Sequence, residues 1–168
     1  LRKIICIFPG AINTFPGKIY LKADEKTMDL GDSYILSPFS MSGKGKGKLV
    51  YLDSNILTND SVAQQFLKQN IKKKVIVYKE EEHNQLMNMG LDLIKHIYSA
   101  KSIIKIQDKK LTASLSTSQY SNPVFEVLND SFPKDVKKIK FEVEAEVKNI
   151  TSQNVVGYIL GSEQPDSF

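Results

Sequence analysis

Two short runs of consecutive apolar residues, Lys74-Val-Ile-Val-Tyr78 and Ser102-Ile-Ile-Lys-Ile106, constrain the fold of this chain more than any other feature. Each is too short for a helix and rich in β-branched residues, so each reads as a strand covered on both faces. Between them Leu86, Met89, Leu93, Ile94 and Ile97 recur at helical spacing and form one apolar stripe. Glu80-Glu81-Glu82 ahead of the stripe suits the positive end of a helix dipole. The spacing predicts one long helix there, and with it a βαβ-like unit whose two strands run parallel with a right-handed crossover.

Other segments add strands faster than helices. Ile139-Lys-Phe-Glu-Val-Glu-Ala-Glu-Val147 alternates apolar and charged residues, the pattern of a strand with one wet face. Further strands are predicted at Lys18–Ala23, Ser33–Phe39, Lys48–Leu52 and Pro123–Val127. Ser40–Gly47, with glycines at 43, 45 and 47, reads as a hairpin tip between the second and third of these. Asp53-Ser54-Asn55 reads as a turn, and Asn59-Asp60-Ser61 as the cap of a short helix presenting Val62, Phe66 and Leu67 inward. Residues 1–32, punctuated by Pro9-Gly10 and Pro16-Gly17, are the least regular part. The fold class is therefore mixed α+β with more strand than helix.

Both ends suggest a piece of a longer protein. Leu1–Phe8 looks like the tail of a preceding element. Asn154–Leu160 looks like a strand followed by a polar turn with Gly161, Pro165 and Asp166, and the chain stops at Phe168 where a partner strand would start. Such a half hairpin is expected to pack poorly or to be borrowed by a neighbour.

Length and charge set the remaining bounds. With 168 residues the chain is about one domain and can bury a core without staples. No apolar run approaches the roughly 20 residues of a membrane-spanning helix. The net charge is +4. The lysines are scattered along the sequence at Lys44/Lys46/Lys48, Lys72/Lys73/Lys74, Lys109/Lys110 and Lys137/Lys138, mostly at expected turns or strand edges, which disfavours nucleic acid as a partner. A single cysteine, Cys6, excludes an internal disulfide and, in an apolar run without a local base, reads as buried.

No catalytic constellation is legible. Gly43–Gly47 fails as a phosphate loop: three residues separate its outer glycines, Leu49 replaces the hydroxyl residue, and no helix follows. His83 and His96 lie thirteen residues apart, about 20 Å along a continuous helix, and could share a metal only if that helix were broken. Glu142, Glu144 and Glu146 share a strand face but are flanked by Lys140 and Lys148, as on a solvated surface. A Gly-x-Ser-x-Gly elbow is missing from the sequence.

Two segments resemble a known family. Gly47-Lys-Leu-Val-Tyr51, Asn70-Ile-Lys-Lys-Lys-Val-Ile-Val-Tyr78, a helix ending at Ser99-Ala100, Ser102–Ile106 and Asn122-Pro-Val-Phe-Glu-Val127 follow in the order and spacing of a protease-associated domain, over about Tyr34–Val147. Lys73 stands where that family usually has glycine, and Ser99-Ala-Lys-Ser102 where it has a glycine-containing junction. Glu144–Gly161 followed by Glu163-Gln-Pro-Asp166 is similar to the point where such a domain returns to the catalytic core of zinc-dependent aminopeptidases, relatives of glutamate carboxypeptidase and the transferrin receptor.

The resemblance implies a β-sandwich or open barrel flanked by two main helices, with 1–32 leading in, 33–148 as the protease-associated domain and 149–168 returning to the peptidase. It implies a non-catalytic role, framing substrate access or mediating protein contacts, with no metal or catalytic residue in this chain and zinc in the parent domain. The parent peptidase domain and peptide or protein substrates are the implied partners, and a secreted, periplasmic or cell-surface location follows. Ser42, Gly43, Lys44 and Lys46 in the first glycine-rich loop and Thr117, Gln119 and Tyr120 in the Thr112–Asn122 loop are the candidate interaction residues. A free-standing basic module for acidic polymers or nucleic acid is the alternative.

Overall fold

The computed structural model describes residues 2–158. Among these the chain forms β1 (Arg2–Thr14), β2 (Ile19–Ala23), β3 (Lys26–Thr27), β4 (Tyr34–Leu36), β5 (Gly43–Tyr51), α1 (Ser54–Thr58), α2 (Asp60–Leu67) and β6 (Lys74–Lys79). A 3-10 turn (Glu80–Glu82), α3 (His83–Met87), α4 (Leu91–Ile97), β7 (Ser102–Gln107), β8 (Val124–Leu128), β9 (Lys138–Val143) and β10 (Glu146–Tyr158) complete it. One sheet has the order β3-β2-β9-β5-β6-β7-β8-β4, and β1 pairs with β10 apart from it. The class is mixed α+β, as the sequence predicts. The expected parallel unit is β6–β7, with Val75 opposite Ser102 and Tyr78 opposite Lys105; β5–β6 and β7–β8 are parallel too.

The large sheet curls into a half-barrel. Phe125 on β8 and Phe141 on β9 are separated by three strands in the sheet, yet their rings meet edge-on at 5.8 Å. The inward residues of nearly every strand, among them Leu21, Tyr34, Val75, Val77, Ile104 and Val127, close this inner core. Each such side chain contributes roughly 1.5–3 kcal/mol through removal of apolar surface from water.

The outer face of β6, β7 and β8 holds a second core. Ile76, Ile103 and Val124 lie under Ile56, Phe66, Leu86, Leu93 and Ile97 of the helices. The helical layer arrives in four short segments. Asp53 caps α1 by accepting from the Asn55 N–H, where the sequence suggests only a turn. Asn59 caps α2 by accepting from Ser61 and Val62. The long helix expected after Glu80 is broken at Asn88–Gly90, where Gly90 takes an extended conformation (φ −58°, ψ 144°) and caps α4. Asn and Gly are poor helix formers, and the break lets each half aim its part of the stripe at the sheet, so Leu86, Leu93 and Ile97 are all buried.

Three other expectations are overturned. Gly43–Gly47 is not a hairpin tip: it is the first half of β5, paired antiparallel with β9, while β4 lies at the far edge against β8. The three glycines serve close approach rather than positive φ, which among the glycines is found at Gly31. A Cβ on Gly43 would stand 2.5 Å from Pro123 Cγ, one on Gly47 2.9 Å from the Lys73 carbonyl oxygen, and one on Gly45 would overlap the Lys101 side chain. The β9 strand ends at Val143, so Val147 is 44% exposed rather than on the core face.

The third concerns the two terminal segments. Arg2–Thr14, read as irregular, is a strand, and Asn154–Tyr158 is not without a partner. The two pair from Arg2↔Tyr158 to Thr14↔Glu146 as a ribbon. Their separation hides this from a local reading: Thr14 Oγ1 donates to the Glu146 carbonyl 132 residues away. The predicted turn at Gly161–Asp166 lies outside the described residues.

Candidate functional site

Register across the parallel strands aligns three unlike side chains. Tyr78 on β6 faces Lys105 on β7, which faces Glu126 on β8. They stand on the outer face, one step beyond the buried row of Ile76, Ile103 and Val124, where the helical layer ends. That step opens a cleft of about 170 Å³, closed on its other sides by Pro38, Phe39, His83, Tyr98 and Tyr120.

Its charges are paired. The Lys105 ammonium donates to Glu80 at 2.8 Å and lies 3.2 Å from Glu126, whose other oxygen accepts from Gln107 at 2.6 Å. Burial pulls the Lys105 pKa down, but hydrogen bonds and attraction from Glu80 and Glu126 outweigh it, so the ammonium is held more firmly than usual. Tyr78 Oη lies 3.1 Å from His83 Nδ1. Burial, then the nearby Tyr98 and Tyr120 hydroxyls, pushes the Tyr78 pKa far up. Tyr98 is raised too, by burial first and then by the Tyr120 hydroxyl. His83 is lowered by burial and by the Lys105 charge. At neutral pH the cleft thus offers the neutral phenols of Tyr78 and Tyr98 and a neutral imidazole beside an ion cluster of one ammonium and two carboxylates. Such groups can hold a polar or aromatic ligand by hydrogen bonding and stacking; among the described residues no serine hydroxyl is hydrogen-bonded to a histidine ring.

Both sequence-chosen loops meet beside this cleft, with Asn13 as the joint. Asn13 is 5% exposed; its side-chain amide donates to the Pro38 and Ser40 carbonyls, both at 2.8 Å, and its oxygen accepts from Gln119 at 2.7 Å. Tyr120 stacks on Phe39 at 4.9 Å and packs against Tyr98, so of the candidates it alone lines the cleft. Gln119 is committed to Asn13, and Thr117 is exposed. Ser42 both donates to and accepts from the Ala145 backbone at 2.7 Å. Gly43 packs on Pro123. Lys44 and Lys46 lie elsewhere, on the outward face of β5, where Lys44 reaches Glu142 at 2.9 Å. That hydrogen bond holds the Glu142 carboxyl below its ordinary range.

Sequence reading missed Tyr78, Lys105 and Glu126 as a set. Lys105 and Glu126 are charged residues inside otherwise apolar strands, and those two interruptions were the available signal. The break between α3 and α4 removes the helical geometry that kept His83 and His96 apart, but they serve different neighbours: His83 stacks on Tyr78 and His96 meets Phe66 edge-on. Among the described residues no group of three or more His, Cys, Asp or Glu is placed to hold a metal ion. No helix among them is long and apolar enough to cross a membrane.

No protein-family model matches the sequence, and no curated protein matches it. Among solved structures the chain is similar to an aminopeptidase from Aneurinibacillus sp. strain AM-1, with a TM-score of 0.62 and 18% identity. The likeness is one of fold. It covers 92% of this chain and 37% of the other, so the chain spans little more than a third of that aminopeptidase's length.

Proposed function

We propose that this chain is a non-catalytic, protease-associated type of domain within a larger zinc aminopeptidase, where it frames access of peptides or mediates protein contacts. The likeness of nearly the whole chain to about a third of an aminopeptidase carries the reading. The β1–β10 ribbon supports it, because an inserted domain needs its entering and leaving strands side by side, as Arg2 and Tyr158 are. Zinc and the groups that activate water belong, on this reading, to the host domain, and the location is secreted, periplasmic or at the cell surface. The cleft lined by Tyr78, Tyr98, Tyr120 and Lys105 is the surface that meets peptide or protein.

The test is a pair of assays on aminoacyl chromogenic substrates and on longer peptides, with zinc. The 168-residue chain alone should show no turnover, whereas the product of the longer reading frame should. A Tyr120→Ala variant of that longer protein should raise KM for long peptides and leave the single-residue substrate unchanged. Turnover by the chain alone, or a reading frame with no histidine-bearing strand beyond Phe168, would overturn the proposal.

A further inference from the structure

The lysines that look scattered in sequence converge in the fold. In the register of β2, β9 and β5, Lys22 faces Lys140 and Lys140 faces Lys46. One step along, Lys138 faces Lys48, and Lys48 faces Lys74 of β6. All stand on the outward face, because Leu21, Ile139, Phe141, Val75 and the glycines of β5 take the inward positions. The result is two parallel rows of three ammonium-bearing side chains. Neighbouring strands set them about 4.8 Å apart at the backbone, and the two-residue step about 6.7 Å.

Edge protection does not account for this. β9 and β5 are internal strands of the sheet, with β3 and β4 at its edges. Like charges directly opposite on adjacent strands destabilise a sheet. Local neutralisation is partial: Lys22 meets Glu25 at 3.1 Å, while Lys44 and Lys18 take Glu142 beside the rows. Among the described residues no carboxylate lies within 4.0 Å of the Lys46, Lys48, Lys138 or Lys140 ammonium groups, and all four side chains are exposed. The helices pack on β6 to β8 and leave this face bare.

We infer that the outward face of β2, β9 and β5 binds a linear polyphosphate chain, recognised as regularly spaced negative charge without bases. Lysine is a compact point charge with three rotatable donors, suited to following the spacing of charges along a polymer, whereas planar bidentate recognition of a single carboxylate or phosphate group favours the arginine fork. Apart from Arg2 the chain has no arginine. Single-stranded nucleic acid would call for aromatic platforms between the cations, and the face has Tyr20 alone, with Lys18 over its ring at 5.4 Å. A lipid surface would call for apolar side chains to insert, and the exposed large hydrophobic residues, such as Met87, Leu91 and Leu115, lie elsewhere. The inference is independent of the peptidase reading.

The test is binding of long-chain inorganic polyphosphate to the 168-residue chain, followed by anisotropy or calorimetry at several salt concentrations. A Lys46→Gln/Lys48→Gln/Lys140→Gln variant is compared with a Lys95→Gln/Lys109→Gln/Lys110→Gln variant of identical net charge. The face variant should lose roughly tenfold or more in affinity, and its salt slope should fall by about 2–3, while the distant variant stays within about threefold of wild type. Circular dichroism confirms that both are folded. Equal losses in both variants, no binding at physiological ionic strength, or tighter binding of single-stranded DNA or anionic vesicles would each overturn the inference.

Discussion

A methyl group on Gly47 would stand 2.9 Å from the carbonyl oxygen of Lys73, a backbone atom that cannot swing away. Gly47→Ala should therefore force β5 from β6 at the parallel pair Lys48↔Lys74 and lower stability by about 1–3 kcal/mol. Gly45→Ala meets only the flexible stem of Lys101 and should cost clearly less. Urea unfolding of the two variants gives the ranking. A Gly45→Ala loss equal to or above that of Gly47→Ala would show that chain entropy, not close approach, selects these glycines.

Asn13 supports a comparable prediction about the loops. Its amide holds two carbonyls and its oxygen holds Gln119, all in a buried setting. Asn13→Ala leaves those carbonyls without their donor and should cost about 2–4 kcal/mol. Hydrogen exchange should quicken at the Tyr120 amide, which bonds Phe39 across the same junction. Unchanged exchange there would mean that Asn13 does not tie the two loops together.

What could be read from sequence follows the range of the interactions. Val75–Tyr78, Ser102–Ile106 and Val124–Val127 announce themselves through burial on both faces, and Asn59 through local cap chemistry, so each was legible. The glycines of β5 were misread because glycine has two meanings, and only the neighbour, Lys73 or Pro123, tells them apart. The Tyr78–Lys105–Glu126 row and the lysine rows depend on register between strands far apart in sequence. Lys46 and Lys140 become neighbours only once β5 pairs with β9. Pairing of Arg2 with Tyr158 is the extreme case.

Acid should unfold the chain partly through His83. Burial, then the Lys105 charge, lowers its folded pKa beneath the ordinary 6.5, against which Glu80 and Glu126 act weakly. Below about 6.5 the unfolded chain takes up a proton that the folded chain still refuses. This contribution is therefore complete above that pH and is lost as the pH falls toward the lowered folded value. Melting temperatures from pH 7.5 to 5 should decline more for wild type than for His83→Phe. Parallel curves for the two proteins would remove His83 from the account.

The Lys105–Glu126 pair should show strong coupling. Their side chains are 15% and 12% exposed, so removing the ammonium leaves a nearly buried carboxylate that Gln107 alone must hold. Lys105→Met should cost about 2–4 kcal/mol, and so should not be taken as a measure of the pair's own worth. Neutralising the partner as well, in Lys105→Met/Glu126→Gln, removes the stranded charge and should restore at least half of the loss. Glu80, 49% exposed, is free to turn to solvent when Lys105 is gone and should add little. A double-mutant cycle from urea unfolding reads the coupling directly. Additive losses, with a coupling below about 0.5 kcal/mol, would mean that water already screens the cleft and that its ion cluster does not fix the shape of the site.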